Sequence, residues 1–215
     1  MKPPYWNEAK RALAKADPVM RRLIRRFPEV HLARRGDPFT TLARAIVGQQ
    51  ISVKAAQTIW ERFAIAAATS PVAQEGMAPI DPARVRRLRL PTLRRCGLSQ
   101  RKAEYLRDLA GHFVTGKLDP NHWRTLDDEA LIAALVDVKG IGRWTAEMFL
   151  IFHELRADVL PVDDIGLQRA IAIEYNRGER LPTAAIREIA TVWQPYRSVA
   201  TWYLWRSLDP IPVEY

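Results

Sequence analysis

The sequence predicts an all-helical fold, on three observations. Apolar residues recur at spacings of three and four, as in Phe39, Leu42, Ala43, Ile46 and Val47, in Leu106, Leu109, Ala110 and Phe113, and in Leu131, Leu135 and Val138. Runs that alternate apolar and polar residues, the mark of a half-buried strand, are nearly absent. Four Asp-Pro pairs punctuate the first half at 17–18, 37–38, 81–82 and 119–120. An aspartate there can accept from the free N–H groups of a first helical turn while proline occupies the first helical position, so at least three of the four read as helix starts. A fifth pair, Asp209-Pro210, reads as the end of something instead.

Along the chain, the first helical pattern begins almost at once, and the second major one follows Asp37-Pro38. Residues 64–82, with their Ala, Ser, Pro and Gly content, read as a helix end followed by a loop. Residues 127–137, DDEALIAALVD, form an amphipathic helix whose acidic opening suits the positive end of a helix dipole. Lys139-Gly140-Ile141-Gly142 is too short for anything but a tight turn, and helix resumes over 143–154. Residues 155–162 read as another connection. No internal repeat is present, and at 215 residues the chain forms one domain or two small lobes.

The formal charge is +9, and the positive residues cluster: Arg21, Arg22, Arg25 and Arg26, then Arg84, Arg86, Arg87 and Arg89, then Arg94, Arg95, Arg101 and Lys102. Such a surface suits a polyanion, because each phosphate neutralised releases condensed counterions; solvated helix faces are the competing explanation. Cys96 is the single cysteine, which excludes an intrachain disulfide, a four-cysteine zinc site and a four-cysteine iron-sulfur cluster. The N-terminus lacks the apolar core of a secretory signal and no uncharged run is long enough to span a bilayer. A cytoplasmic location with no membrane partner is the expectation.

The glycine turn carries the first functional signal. Glycine permits positive φ and close backbone approach, and the N–H groups that open the following helix are unsatisfied and point outward. That geometry suits one phosphate of a nucleic-acid strand, although a plain corner with a glycine cap has the same composition. LPVDDIG, residues 160–166, supplies the second signal, two carboxylates after a proline turn at a helix start. Neighbours on a helix diverge by about 100°, so Asp163 and Asp164 cannot both face one site, and either could serve only as a cap. A carboxylate held there by N–H groups stays ionised and can stabilise a positive charge that develops beside it. The third is the aromatic tail WQPYRSVATWYLW, residues 193–205, in which at least one tryptophan reads as core.

These segments, together with LARAIVGQQISVKAAQTIWERF (42–63) and GLSQRKAEYLRDLA (97–110), resemble the helix-hairpin-helix superfamily of DNA base-excision glycosylases in order and spacing, and within it the DNA-3-methyladenine glycosylase II branch. The resemblance implies a two-lobed helical architecture with a cleft between lobes and no N-terminal β domain. Residues 39–155 would carry the hairpin, and residues 1–38 with 156–215 would form the second lobe. It assigns catalysis to Asp164, the base pocket to Trp205, Trp144 and Met148, and DNA contact to Gln49, Gln50, Lys139, Gly140, Ile141, Gly142 and Thr145. Gln50 takes the position of the wedge that fills the gap left by an extruded base.

Members of the superfamily that also cut the strand resemble this hairpin but carry a lysine where Trp144 stands, so base removal without lyase activity is expected. Met148 stands where the better-known pattern has a tyrosine, which leaves the preference among lesions open. The resemblance further implies a monovalent cation, Na or K, held by the backbone carbonyls of Val136, Val138 and Ile141. No cofactor is expected to be needed for catalysis, and no iron-sulfur cluster. The implied partner is double-stranded DNA with alkylated bases, bound by a monomer. Two rivals remain: an oxidised-base or mismatch glycosylase with lyase activity, and a non-catalytic helix-hairpin-helix DNA-binding protein.

Overall fold

The computed structural model describes residues 2–34, 36–68 and 80–208, and all regular structure among them is helical, with no strand. Twelve α-helices follow one another among the described residues: α1 Trp6–Ala16, α2 Pro18–Arg26, α3 Pro38–Gly48, α4 Val53–Ala67, α5 Pro82–Arg87, α6 Leu90–Arg95, α7 Gln100–Val114, α8 Asp128–Val136, α9 Arg143–Phe152, α10 Ile165–Tyr175, α11 Thr183–Ile189 and α12 Arg197–Leu208. No helix among the described residues is long and apolar enough to cross a membrane. The end of α4 matches the expected helix end near 64–67, while residues 69–79 of the expected loop and the Asp209-Pro210 pair lie outside the described residues.

Three of the Asp-Pro pairs start α-helices as the sequence predicts. Asp17, Asp37 and Asp81 each sit at an N-cap with proline in the first turn and accept backbone N–H groups, from Val19, Thr40 and Ala83 respectively. Asp119 caps a tighter turn, accepting from the N–H of Asn121 at 2.9 Å, and leads only into a 3-10 turn at Trp123–Thr125.

The chain divides into two compact units, residues 1–34 with 147–215 and residues 35–146, the division falling inside α9. In the first unit α12 is buried on every side from Ser198 to Leu204, which explains why its sequence is apolar without a helical period. Its start is fixed by Arg197, whose Nε and Nη2 each donate at 2.8 Å to the two carboxylate oxygens of Asp158. Trp6 of α1 meets the edge of Trp202 at 5.5 Å between centroids. Asp17 does more than cap α2. Its Oδ2 accepts the Tyr175 hydroxyl at 2.6 Å and the Trp193 indole N–H at 2.9 Å, so a carboxylate only 4% exposed ties the end of α10 to the start of α2.

In the second unit α3 buries the predicted face of Phe39, Leu42, Ala43, Ile46 and Val47, and α7 packs across it with the edge of Phe113 against Phe39 at 5.3 Å. Helices α5 and α6 lie on α7, through buried Val85 and Leu93. Each such side chain contributes about 1.5–3 kcal/mol by leaving water.

Candidate active site

Asp164 is the N-cap of α10. The chain enters through a turn in which Asp164 N–H donates to the Pro161 carbonyl at 3.0 Å, and Gln168 braces that turn by donating its amide to the Val162 carbonyl at 3.0 Å. Asp164 Oδ1 accepts the Leu167 N–H at 2.6 Å and the Trp205 indole N–H at 2.8 Å. Two neutral N–H donors and the N-terminus of α10 therefore converge on one carboxylate and fix its orientation. The neighbouring Asp163 is exposed and makes no hydrogen bond or ion pair among the described residues. Ile165, the first helical residue, is 73% exposed beside the carboxylate.

Trp205 is half-buried and lies flat on Phe152, at 5.5 Å between centroids and 13° between planes. Glycine at 166 makes room for it. A Cβ there would meet Asp164 Oδ1 at 3.1 Å and the Trp205 ring at 3.3 Å, tighter than ordinary packing. Sequence reasoning named Asp164 and Trp205 but missed Phe152 and Gly166; the glycine of LPVDDIG, in the first turn of a helix, was the one available signal. Met148 is half-buried on α9, and Trp144, one turn earlier, is 43% exposed.

The glycine turn in the second unit is built from three sides. Gly140 has φ +83, and a Cβ there would lie 2.2 Å from the Tyr105 ring of α7, so no other residue fits without displacing that ring. Asp108, also on α7, accepts the Lys139 N–H at 2.9 Å. Gln49 donates its side-chain amide to the Gly140 carbonyl at 2.8 Å, which makes it a strut of the hairpin. His112 bonds Asp137 at 2.9 Å, and this hydrogen bond, with the Lys117 and His112 charges, holds the exposed Asp137 carboxyl below its ordinary range.

On the outer side of the turn, Lys139, Gly142 and Arg143 are exposed and Thr145 is half-buried. A Cβ at Gly142 would meet nothing within 4 Å. Arg143 donates to both Glu129 oxygens, at 2.9 and 2.5 Å, tying the starts of α8 and α9. Val138 and Ile141 are buried, and the Ile141 N–H donates to the Val138 carbonyl at 3.1 Å, whereas Val136 is exposed.

Gln50, next to Gln49, is exposed and has φ +56, a left-handed conformation that costs a residue with a Cβ about 1–3 kcal/mol. Lys102 holds the turn in place by donating to the carbonyls of Val47 at 2.8 Å and Gln49 at 2.6 Å. Partial burial pushes the Lys102 amine below its ordinary pKa. Ile51 and Val53, 37% and 81% exposed, flank the turn with apolar surface.

Three comparisons bear on this arrangement. Residues 43–195 match the model of the HhH-GPD superfamily base excision DNA repair proteins. The chain is 34% identical over 173 residues to DNA-3-methyladenine glycosylase 1 of Schizosaccharomyces pombe, covering 80% of this chain and 72% of that one. A crystal structure of a DNA-3-methyladenine glycosidase from Bacillus halodurans superposes with TM-score 0.82 at 35% identity, covering 92% of this chain and 87% of the other. A 3-methyladenine DNA glycosylase of Schizosaccharomyces pombe, solved in complex with abasic DNA, superposes with TM-score 0.78 at 29% identity, over 97% and 98% of the two chains. With a matched region that takes in the Gln49-Gln50 turn, the glycine hairpin and Asp164, the chain belongs to the HhH-GPD superfamily of base excision DNA repair proteins.

Proposed function

We propose that the chain is a monofunctional DNA glycosylase that releases alkylated bases of the 3-methyladenine type from duplex DNA, with Asp164 as the catalytic carboxylate. The observation that carries the reading is the double N–H grip on Asp164 Oδ1, which orients an anion beside an aromatic wall formed by Trp205 on Phe152. The names of its relatives as DNA-3-methyladenine glycosylases, one of them solved with abasic DNA, support the same reading.

In the reaction, the bond between deoxyribose C1′ and the base nitrogen breaks and its electron pair leaves with the base. An alkylated purine already carries positive charge, so it departs neutral and needs little acid catalysis. The sugar fragment is left cationic and is stabilised by the Asp164 carboxylate. Water adds its oxygen to C1′ and releases a proton, giving free base and an abasic site. Electron-rich faces of Trp205 and Trp144 suit a cationic base, and the Met148 sulfur packs on one as well.

Gln50 fills the vacated stack, its φ of +56 set in advance by Lys102 and by Gln49 on the hairpin. The N–H groups of Gly142 and of the residues that open α9, with the Lys139 amine and the Thr145 hydroxyl, take a phosphate, while Gly140 shapes the turn and the Ile141 N–H is spent on the Val138 carbonyl. The Val138 carbonyl keeps a lone pair beyond its bond to Ile141, so with Val136 and Ile141 it suits a monovalent cation that would rigidify the turn. The chemistry itself calls for no cofactor. The reading includes a monomer acting in the cytoplasm, and no lyase step, because Trp144 offers no amine.

The test is Asp164→Asn on methylated duplex DNA, with released bases separated by chromatography. Asparagine keeps an N-cap acceptor, so folding and duplex affinity persist while base release falls by about 10²–10³-fold. Parental release by the variant overturns the assignment. A parental protein that binds DNA but frees no base is a binding module, and strand scission without alkali makes it a lyase.

A further inference from the structure

Residues 82–103 hold seven arginines and one lysine without a single acidic residue. All seven arginines are exposed, and none makes an ion pair among the described residues. Elsewhere in the chain Arg22, Arg34, Arg143 and Arg197 each pair with a carboxylate, whereas no run of comparable length gathers so many guanidinium groups with no acidic residue among them. Unpaired, crowded guanidinium groups repel one another and gain most from a partner of high negative charge density.

Three of them share one place in the second unit. Arg94 and Arg95 end α6, Arg101 opens α7, and the turn between these helices borders an open depression whose lining includes Arg94, Arg95, Gly97 and Gln100. Gly97 has φ +99, and a Cβ there would press on Ile59 at 3.1 Å, so the turn is seated tightly on α4. The next residue after Arg101 is Lys102, whose amine is bonded to the Gln49 carbonyl, and Gln49 is bonded in turn to the hairpin carbonyl of Gly140. The α6–α7 corner is thus fastened, through two hydrogen bonds, to the turn and the hairpin read above as DNA-facing.

We propose that the α6–α7 corner is a second phosphate-binding surface, in which Arg94, Arg95 and Arg101 with Gln100 hold the sugar-phosphate backbone of the duplex flanking the extruded nucleotide. This rests on the reading of the chain as a DNA glycosylase, but its partner is undamaged duplex backbone, so it is testable without base release. The guanidinium fork suits phosphate oxygens, and contacts of this kind set register and affinity without reading sequence.

The test measures binding of the whole chain to an undamaged, fluorescently labelled duplex by anisotropy over a series of salt concentrations. Arg94→Gln, Arg95→Gln and Arg101→Gln together should make the slope of log affinity against log salt shallower by about two to three, since each lost phosphate contact removes about 0.9. A variant with three lysines in these places should keep most of the parental slope. An equal charge change on α2, Arg21→Gln with Arg25→Gln and Arg26→Gln, should shift it by less than about one. Equal slopes for the two triple glutamine variants overturn the proposal, because a general field would then explain the binding. Arg101→Gln alone, if the triple variant does not fold, should remove about one contact, and an unchanged slope counts against the surface. If the parental protein frees no base yet these slopes differ as described, the glycosylase reading fails and the surface stands.

Discussion

The indole N–H of Trp205 donates to Asp164 Oδ1 at 2.8 Å, across 41 positions of sequence, while the ring rests on Phe152. Trp205→Phe keeps an aromatic face and deletes the donor. The bond to a charged acceptor is worth about 1.5–3 kcal/mol. Its loss should lower the single-turnover rate of base release about ten- to a hundredfold while KM changes much less, the pattern of a group that orients the carboxylate and leaves binding alone. An equal rise in KM at constant rate would place the residue in binding only.

Asp17 is expected to be a stability hot spot far from any chemistry. Its four hydrogen bonds leave no acceptor position that an amide can replace without turning an N–H₂ toward another donor. Asp17→Asn should cost about 2–4 kcal/mol in urea unfolding, and Tyr175→Phe, which removes one bond, about 1 kcal/mol. Similar small losses in both would contradict the network.

The two glycines of the hairpin should respond differently. Gly140→Ala meets both a positive φ and the Tyr105 ring, and should lower duplex affinity at least about tenfold and the melting temperature with it. Adding Tyr105→Ala relieves the clash and leaves the strained φ, so recovery is partial. Gly142→Ala meets open space and should fold as the parent does.

Lys102→Met removes the donor that holds the carbonyls of Val47 and Gln49. The turn should lose its preset shape, and extrusion, followed by the fluorescence of 2-aminopurine placed beside the lesion, should become slower than in the parent. Undamaged duplex affinity should fall by less than the extrusion rate. An unchanged extrusion rate would show that Gln50 is set by other contacts.

Alkaline stability should be governed by buried phenols in the first unit. Burial pushes Tyr5 and Tyr203 up to about 12, and burial together with the Asp17 hydrogen bond and charge raises Tyr175 further. Each folded-state value lies above that of the unfolded chain, near 10. Between the two the folded state holds more protons, so the stability these groups contribute is complete below about pH 10 and is lost as pH rises through about 12. Urea midpoints measured from pH 8 to 12 should fall over that window, and Tyr5→Phe should remove part of the fall.

The legible and illegible parts of this molecule divide by sequence distance. Helix starts at Asp17, Asp37 and Asp81 were readable because capping is settled within three residues. The second oxygen of Asp17 was not, since its partners lie 158 and 176 positions away. Gln49 reads as a DNA contact from its motif, but that one N–H of its amide braces a carbonyl 91 positions on is a tertiary fact that no local pattern states. Helix α12 gives no period because it is buried all round, so only the resemblance could single out Trp205 among its aromatic neighbours. Tyr105 under Gly140 depends on how α7 packs, which no local pattern states.

The bare α-carbon at Gly166 binds two distant positions into a single choice. With the indole edge close to the helix opening, a methyl group at 166 would lie 3.1 Å from Asp164 Oδ1 and 3.3 Å from the ring, so the carboxylate or the indole must give by a few tenths of an ångström, and a slimmer residue at 205 is one way to make that room. A search for altered substrate range that varies position 205 therefore has reason to vary 166 with it.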